Sequence, residues 1–470
     1  MRWRNIFEIQ LPIRSYVYKN GFWWSTETVC SFFGIMFASM VRESLASMAW
    51  IINYNKQLLC EAMATIEVLR YIPSDRQLLA ASSRTMTVIN LDEFRVTRAA
   101  FLPEVCPLTV LPDPYYEPWE YTASRLPQLL ECGSLRSTVE ALPVLCTEPY
   151  VVLAYMAHAY IWGGDEPKEV LPPQICGPFL RVCAQVEIPP VLTCAAANLW
   201  NFSCSGNDFS RLDDLQALIS FAGTETESWF LTGGVAIEAT GAKVVQPLQK
   251  ALQAVETRDY MVIIRGLEAL KLCIDDMTAL LMRMYERCDP MTFCHRIRPF
   301  YAGSKNMATA GLPRGVFYDV GDGKGEWKKF QGGSNGQSSL IQFFDLVLGI
   351  EHNDPAKPKR EIFHMEARDC MPGPHRRFLQ HVSKTGSIRE LALSGVPASD
   401  EQRRLKAAYL AATDALSNFR TKHIQIVTRL ITLPSKKAPK GLKGVGTART
   451  AILPFLKQAR DTTAAAGQCQ

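Results

Sequence analysis

The sequence predicts an all-α protein, and two observations support this fold class. Apolar residues recur at intervals of three and four positions, as in Leu416, Phe419, Ile426 and Val427, which is the spacing of a helix with one buried face. No alternation of apolar and polar residues of any length is seen between residues 112 and 430. Strands are therefore not expected in this region.

Composition sets broad limits on function. The chain has 470 residues, enough for two or three domains, and 51 Lys and Arg against 46 Asp and Glu give a formal charge of +5. This charge is small and dispersed, so no nucleic-acid partner is predicted. The 14 cysteines are scattered and form no C-x-x-C motif, which favours reduced thiols in a cytoplasmic protein without a zinc site.

Residues 1–90 are interpreted as an N-terminal extension of uncertain structure. The apolar stretch Phe22–Val41 is interrupted by Glu27 and bounded by Lys19 and Arg42, so neither membrane insertion nor a secretory signal is expected. A helical appendage and a faulty gene model both remain open.

Helix boundaries follow from proline and glycine. Pro149 precedes an apolar helix at Tyr150–Trp162, which Gly163 ends, and its His158 is interpreted as a packed core residue. Prolines also begin later helices, since the first helical turn tolerates them. The other helices predicted in chain order are Val191–Phe202, Ala236–Val245, a long helix or helical pair over 247–287, Met291–Tyr301, Leu340–Ile350 and Asp414–Ile431.

His423 lies on the apolar face of the Asp414–Ile431 helix, with Arg420 one turn earlier. A buried imidazole needs a partner. One interpretation is a core histidine hydrogen-bonded to a carbonyl, and the other is an axial ligand of a haem iron. The helix alone does not decide between them.

Glycines crowd the stretch Tyr318–Gly336, which is interpreted as a long irregular loop. It ends in Gly332-Gly333-Ser334 just before a buried helix. Paired glycines would let the backbone approach a flat ligand, while serine and asparagine could bind an anionic group at the helix start. A glycine turn followed by a serine cap explains the same residues.

Several blocks, in order, resemble the indoleamine 2,3-dioxygenase family, and its fungal members in particular. The resemblance covers about residues 91–465. The blocks that carry it are LPQLLECGSLR (126–136), AYIWGG (159–164), IPPVL (188–192), SFAGTETESWF (220–230), VAIEA (235–239), GGSNGQSS (332–339), FFDLVLGI (343–350), MPGPHRRFL (371–379), SIREL (387–391) and FRTKHIQIVTR (419–429).

The resemblance implies a two-domain helical haem protein. A small N-terminal helical domain, residues 91–224, would cover a large haem-holding domain, residues 225–470, with a mobile loop at 433–450. His423 would be the proximal ligand of haem b, because a buried imidazole on an apolar helix suits a five-coordinate ferrous iron. Arg420 and Asp345 would form a pair behind the haem, fixing the proximal helix. A monomer is expected.

The resemblance also assigns the substrate side. Phe293 would pack on the indole, and Arg298 would bind the substrate carboxylate through two parallel donors. Gly333 and Ser334 would lie against the haem edge. The remaining residues expected to line the indole pocket are Phe230, Cys194, Gly234 and Thr447.

The implied reaction inserts both atoms of O2 across the C2–C3 bond of L-tryptophan or another indole. The product, N-formylkynurenine, begins the kynurenine pathway of tryptophan catabolism, and an electron donor keeps the iron ferrous. Haem and O2 carry the chemistry, while the protein orients the indole and excludes water.

Two positions depart from the family. Gly234 replaces a usual serine, which would enlarge the pocket together with Gly233 and remove a hydroxyl. The loop Gly446–Thr450 lacks two usual glycines and gains Arg449. Three hypotheses stay open: a tryptophan dioxygenase, a diverged paralogue acting on a different or larger indole in secondary metabolism, and a haem-binding protein with little catalysis.

Overall fold

The computed structural model divides the chain into two units, residues 1–85 and 86–470. It describes the backbone of residues 16–19 and 22–25, and the ranges 90–143, 149–352, 365–436 and 452–468. In the first unit, β1 (Tyr16–Lys19) pairs antiparallel with β2 (Phe22–Ser25). The helical appendage considered for the remainder of this extension lies outside the described residues.

The second unit is mostly helical, as predicted. Its α-helices in chain order are α1 (Glu117–Ser124), α2 (Leu126–Glu131), α3 (Leu135–Glu140), α4 (Tyr150–Trp162), α5 (Pro173–Gln185), α6 (Glu225–Thr257), α7 (Tyr260–Met282), α8 (Met284–Arg287), α9 (Pro290–Thr292), α10 (Ser339–Val347), α11 (Gly373–Val382), α12 (Ile388–Leu393), α13 (Asp400–Val427), α14 (Leu433–Lys436) and α15 (Ile452–Ala466). The bounds of α4 confirm the prediction, and the predicted division at 91–224 and 225–470 stays a prediction.

The centre of this unit is the helical hairpin of α6 and α7. Arg258 adopts the left-handed conformation that ends α6, and the Asp259 side chain accepts a hydrogen bond from Val262 N at 3.2 Å to begin α7. Helix α13 packs along α7, and α15 packs on α13. The predicted helix Ala236–Val245 is part of the longer α6, which continues through Pro247 because Val245 and Leu248 on either side of this proline are buried in the core.

The expectation of an irregular loop at 318–336 was wrong for its first half. Strands β6 (Val316–Gly321) and β7 (Lys324–Lys328) form an antiparallel hairpin. Asp322 and Gly323 both have positive φ, at 56° and 69°, as a two-residue hairpin turn requires. Strand β6 also pairs in parallel with β3 (Val170–Leu171), so short strands occur where none were expected. A second small sheet pairs β4 (Ser203–Cys204) with β5 (Leu215–Gln216).

Three five-residue π-helical turns occur in the described residues, at Ala195–Leu199, Phe293–Ile297 and Thr428–Thr432. The first follows Cys194, the second begins with Phe293, and the third follows α13, which carries His423. The predicted helix Val191–Phe202 is reduced to the first of these turns. Met291–Tyr301 divides into the last two residues of α9, the second π turn and a 3-10 turn at Arg298–Tyr301. Turns with this i→i+5 hydrogen bonding are rare and concentrate at functional sites.

Within the described ranges, every helix is too short or too polar to cross a bilayer.

Candidate aromatic and imidazole site

One face of α6 opens towards a site, although the helix lies in the core. Phe230, Gly234 and Ile237 are partly accessible, while Leu231, Val235 and their other neighbours are buried. Positions separated by three and four residues share one face of a helix. This stripe therefore marks one wall of an internal site.

A π turn forms the opposite aromatic wall. Phe293 is buried, and its ring centroid lies 4.6 Å from that of Phe230. Arg298 N donates to Phe293 O across the π turn, which brings the two residues onto adjacent turns of one face. In a regular α-helix, five residues would be separated by about 140° around the axis. The π turn thus brings together the aromatic ring and the guanidinium that the sequence predicted for substrate binding.

The Arg298 guanidinium is half-buried, and burial lowers its pKa. An arginine still carries its charge at neutral pH, because its reference pKa lies far above 7. Placed beside two phenylalanines, the cation can form two parallel hydrogen bonds to a carboxylate. Arg296, two residues earlier in the chain, is exposed.

The Gly332-Gly333 pair allows two backbones to come into close contact. A Cβ atom on Gly332 would lie 2.0 Å from Tyr301 O, so no larger residue fits there. A Cβ atom on Gly333 would lie 3.3 Å from Leu192 O. Position 332 therefore requires glycine for packing. Without a side chain there, the segment that follows can lie against the Arg298–Tyr301 turn.

The serines of this segment have local roles in the backbone. Ser334 is exposed, and its Oγ accepts a hydrogen bond from Gly336 N at 3.2 Å. Ser338 begins α10 by accepting a hydrogen bond from Ile341 N at 3.3 Å. The interpretation as a glycine turn with a serine cap is confirmed, and a contact of Gly333 or Ser334 with a cofactor stays a prediction.

Gln337 joins this segment to the backbone of Cys194. The sequence analysis did not single out this glutamine. Cys194 N donates to Gln337 Oε1 at 2.9 Å, and Gln337 Nε2 donates to Gly332 O at 2.9 Å. Cys194 Sγ in turn donates to Asn198 Oδ1 at 3.5 Å, and Asn198 Nδ2 donates to Leu231 O at 2.7 Å. Buried amides linking two backbones fix the loop, the π turn and α6 in one arrangement.

The expectation that Gly233 and Gly234 enlarge the pocket was wrong. A Cβ atom on Gly233 would lie 2.1 Å from Met284 Cε, and one on Gly234 would lie 2.4 Å from Asn198 Nδ2. The space beside each glycine is therefore filled by another side chain. Thr232 does not replace the missing serine, because its hydroxyl donates to Ser228 O within its own helix at 2.8 Å.

His423 lies on α13 between the buried side chains of Phe419 and Val427, one helical turn away on each side. Burial, together with the charge of Arg420, lowers the pKa of His423 to about 4, so the imidazole is neutral at physiological pH. No residue in the described ranges hydrogen-bonds its ring. Among the described residues no carbonyl bonds the His423 ring, so its role as an iron ligand stays a prediction, whereas the core interpretation of His158 is confirmed by its bonds to Phe300 O and Leu192 N.

Arg420 and Asp345 form the predicted pair. Arg420 Nη2 donates to both carboxylate oxygens at 2.7 and 2.8 Å, and His352 Nε2 lies 2.9 Å from Asp345 Oδ2. Burial alone would raise the pKa of Asp345, but Arg420 and His352 lower it to about 2. Arg420 also donates to Thr463 Oγ1, so one guanidinium joins α13 to α10 and α15.

These residues fit a haem. A neutral imidazole is the form that binds iron, and the ion pair of Arg420 with Asp345 fixes the helix that carries it. Cys294 Sγ donates to Ile431 O at 3.7 Å, which joins the π turn after His423 to the π turn of Phe293 and Arg298. Thr447 lies outside the described residues.

The fold and the site define a class of protein: a helical protein with an aromatic site, one neutral imidazole and one half-buried arginine. The sequence profile of indoleamine 2,3-dioxygenase matches residues 90–466. The chain therefore belongs to the indoleamine 2,3-dioxygenase family, whose enzymes are haem-dependent dioxygenases.

Individual relatives agree with this assignment. The chain is 38% identical to an indoleamine 2,3-dioxygenase of Aspergillus nanangensis, over 80% of this chain and 96% of that protein. It is 37% identical to a 6-hydroxytryptophan 2,3-dioxygenase of Fusarium equiseti, over 74% and 86% of the two chains. Identity to an indoleamine 2,3-dioxygenase of Saccharomyces cerevisiae is 35%, over 78% and 90%.

Proposed function

We propose that this chain is a haem b enzyme that opens the pyrrole ring of L-tryptophan or a closely related indole with O2, giving N-formylkynurenine from L-tryptophan. The observation that carries the proposal is the neutral imidazole of His423, which no described residue hydrogen-bonds, in a fold that also brings Arg298 onto the turn of Phe293. The His423 imidazole would coordinate the iron, and the Arg298 guanidinium would bind the carboxylate of an amino-acid substrate.

His423 would hold the iron on the α13 side. The pair of Arg420 and Asp345 fixes α13 relative to α10, so the imidazole has a set position, and the guanidinium adds charge that stabilises an anionic propionate. Gly333 and Ser334 would lie along the haem edge. When bound, haem activates O2 for insertion into the indole, and a cellular electron donor keeps its iron ferrous.

On the opposite side, the residues of the chain bind and orient the substrate. Arg298 forms the carboxylate clamp, and Phe230 and Phe293 hold the indole plane by stacking contacts. Their close packing, with a 4.6 Å separation of ring centroids, excludes water from the ring. Holding the reacting carbons in one orientation lowers the entropic part of the barrier.

A second candidate substrate is a tryptophan with a hydroxyl on its benzo ring, as the name of the Fusarium equiseti relative suggests for that protein. The observation that favours it is the carboxamide of Asn198 beside Gly234, which places a polar group in this wall. A haem carrier with little catalysis is disfavoured, since it has no use for the buried Arg298. The role of Thr447 as a substrate contact stays part of the proposal.

The test supplies haem-loaded protein with L-tryptophan, ascorbate and methylene blue, and follows the absorbance of N-formylkynurenine. The proposal expects product formation that requires both O2 and reductant. A protein with a normal Soret band but no product from L-tryptophan or any hydroxytryptophan would contradict it. Protein carrying His423→Ala, given the same hemin, is the matched control.

A further inference from the structure

We propose that Asn198 determines substrate specificity by hydrogen-bonding a hydroxyl on the benzo ring of the bound indole. The substrate class is a hydroxytryptophan, and the inference rests on the proposed function, because it assumes that an indole occupies this site. The sequence analysis did not single out Asn198, and its position follows from the structure alone.

The first observation is steric. Gly234 lies at the middle of the accessible stripe of α6, and the Asn198 amide nitrogen is 2.4 Å from the position of a Cβ atom at 234. The carboxamide therefore occupies the space that a side chain at 234 would fill. It replaces an aliphatic or hydroxyl group of α6 with an amide from the facing π turn.

The second observation is a hydrogen-bond count. An asparagine amide has two N–H donors and an oxygen with two lone pairs. Here one N–H donates to Leu231 O at 2.7 Å, and the oxygen accepts only a weak thiol bond from Cys194 at 3.5 Å among the described residues. Asn198 is only 6% exposed, so its remaining donor and acceptor have little access to bulk water. Buried groups of this kind are normally paired.

A hydroxyl is the substituent that satisfies both remaining groups. It accepts from the second N–H and donates to the amide oxygen, whereas an unsubstituted benzo ring does neither. A site that must hydrogen-bond a substrate hydroxyl discriminates strongly against the analogue without it, because its own polar group is then left unpaired.

The experiment measures equilibrium dissociation constants of ferric haem-loaded protein, without turnover, by isothermal titration calorimetry. The ligands are L-tryptophan and its 5-, 6- and 7-hydroxy derivatives. The variants are Asn198→Leu, which has similar volume but no hydrogen-bonding groups, and Asn207→Leu, an exposed asparagine that serves as the control.

Wild type and Asn207→Leu are expected to bind at least one hydroxytryptophan about tenfold more tightly than L-tryptophan. Asn198→Leu is expected to abolish this preference, so that its Kd values for L-tryptophan and for the hydroxytryptophans agree within about threefold. An equal loss of affinity for L-tryptophan and hydroxytryptophan in Asn198→Leu would overturn this inference but not the proposed function. So would the absence of a preference in wild type. Failure of normally haem-loaded wild type to bind any of the four ligands would overturn the proposed function as well.

A second pair of variants tests the placement of the amide without any ligand. Gly234→Ala is expected to lower the melting temperature, because the new methyl group displaces Asn198 from Leu231 O. In an Asn198→Ser background the same change should cost much less, since the shorter side chain leaves room. Additive effects of the two substitutions would show that the amide does not lie over Gly234.

Discussion

Arg298 illustrates what a single residue contributes at this site. Its guanidinium is half-buried beside Phe293, in surroundings that lower its pKa without removing its charge. A guanidinium offers two parallel N–H donors, which match the two oxygens of a substrate carboxylate. Under the proposed function, affinity for amino acids over simple indoles depends on this residue.

Replacing Arg298 with alanine should leave haem binding intact and raise KM for L-tryptophan by about a hundredfold or more, because a charge-assisted bidentate contact is lost. Indole without a carboxylate should be affected much less. Steady-state kinetics with both compounds, beside the exposed control Arg296→Ala, make the comparison. Equal losses for L-tryptophan and indole would contradict the assigned contact.

At the residue scale, the family resemblance predicted the ion pair of Arg420 and Asp345, and the structure shows it. The side chains that fill the space beside the glycines of α6 were not predicted. The volume next to Gly234 was misjudged, because Asn198 reaches it from a segment 36 positions earlier in the chain. Only three-dimensional packing reveals such a neighbour.

At the scale of elements, the π turns were beyond prediction. Periodicity identifies a helix, but a π turn contains one extra residue and so changes the direction in which the later side chains point. Amino-acid composition does not reveal this change. Phe293 and Arg298 share a face for this reason, although their spacing in an α-helix would separate them. The hairpin at 316–328 had a usable signal in Asp322-Gly323, since this dipeptide favours the turn that joins β6 and β7.

Glu238 couples α6 to the start of α10. Its Oε1 accepts a hydrogen bond from Ser338 Oγ at 2.5 Å, while its Oε2 is buried without a partner among the described residues. Burial raises the pKa of Glu238 to about 7, and the Ser338 hydrogen bond opposes the shift. The carboxyl of the unfolded chain ionises near its usual pKa, so the free energy of unfolding falls as pH rises from about 4 through 7.

Glu238→Gln should therefore raise the free energy of unfolding by about 3 kcal/mol at pH 8 and by little at pH 5, because glutamine keeps the acceptor without the charge. Urea titrations at both pH values measure the difference. The exposed Glu256→Gln is the control. The same gain at pH 5 and pH 8 would rule out a carboxyl that is protonated in the folded state.

At the scale of the whole molecule, buried neutral histidines determine sensitivity to acid. Burial lowers the pKa of His158 to about 4 and that of His375 to about 3, with the charge of Arg95 adding to the second shift. Histidines of the unfolded chain bind protons near pH 6.5, while these two do not when folded. Their stabilising contribution is full above about pH 6.5 and is lost as pH falls towards 4.

The free energy of unfolding should fall by up to about 3 kcal/mol for His158 as pH drops from 6.5 to 4. In His158→Gln this part of the slope should disappear, and in the exposed control His381→Gln it should remain. Denaturant titrations across this pH range give the slopes. Identical slopes in wild type and His158→Gln would show that His158 is protonated in the folded protein.

The fold class of residues 90–466 was accessible from the sequence because helical periodicity is strong there and the resemblance extends over the same range. The sequence analysis ended one helix at Val245, before Pro247, whereas α6 continues to Thr257. Tertiary packing outweighs the local cost of a proline inside the helix. The short sheets and π turns are local departures that a helical pattern conceals. Helical periodicity therefore predicted the fold class but not these local changes of backbone.

The central claim is that His423 holds a haem iron, and hemin titration followed at the Soret band tests it most directly. Wild type and His158→Ala should each bind one equivalent of haem, while His423→Ala should lose tight binding and regain it in part when free imidazole is supplied to His423→Gly. Stoichiometric, tightly held five-coordinate haem in His423→Ala would contradict the claim.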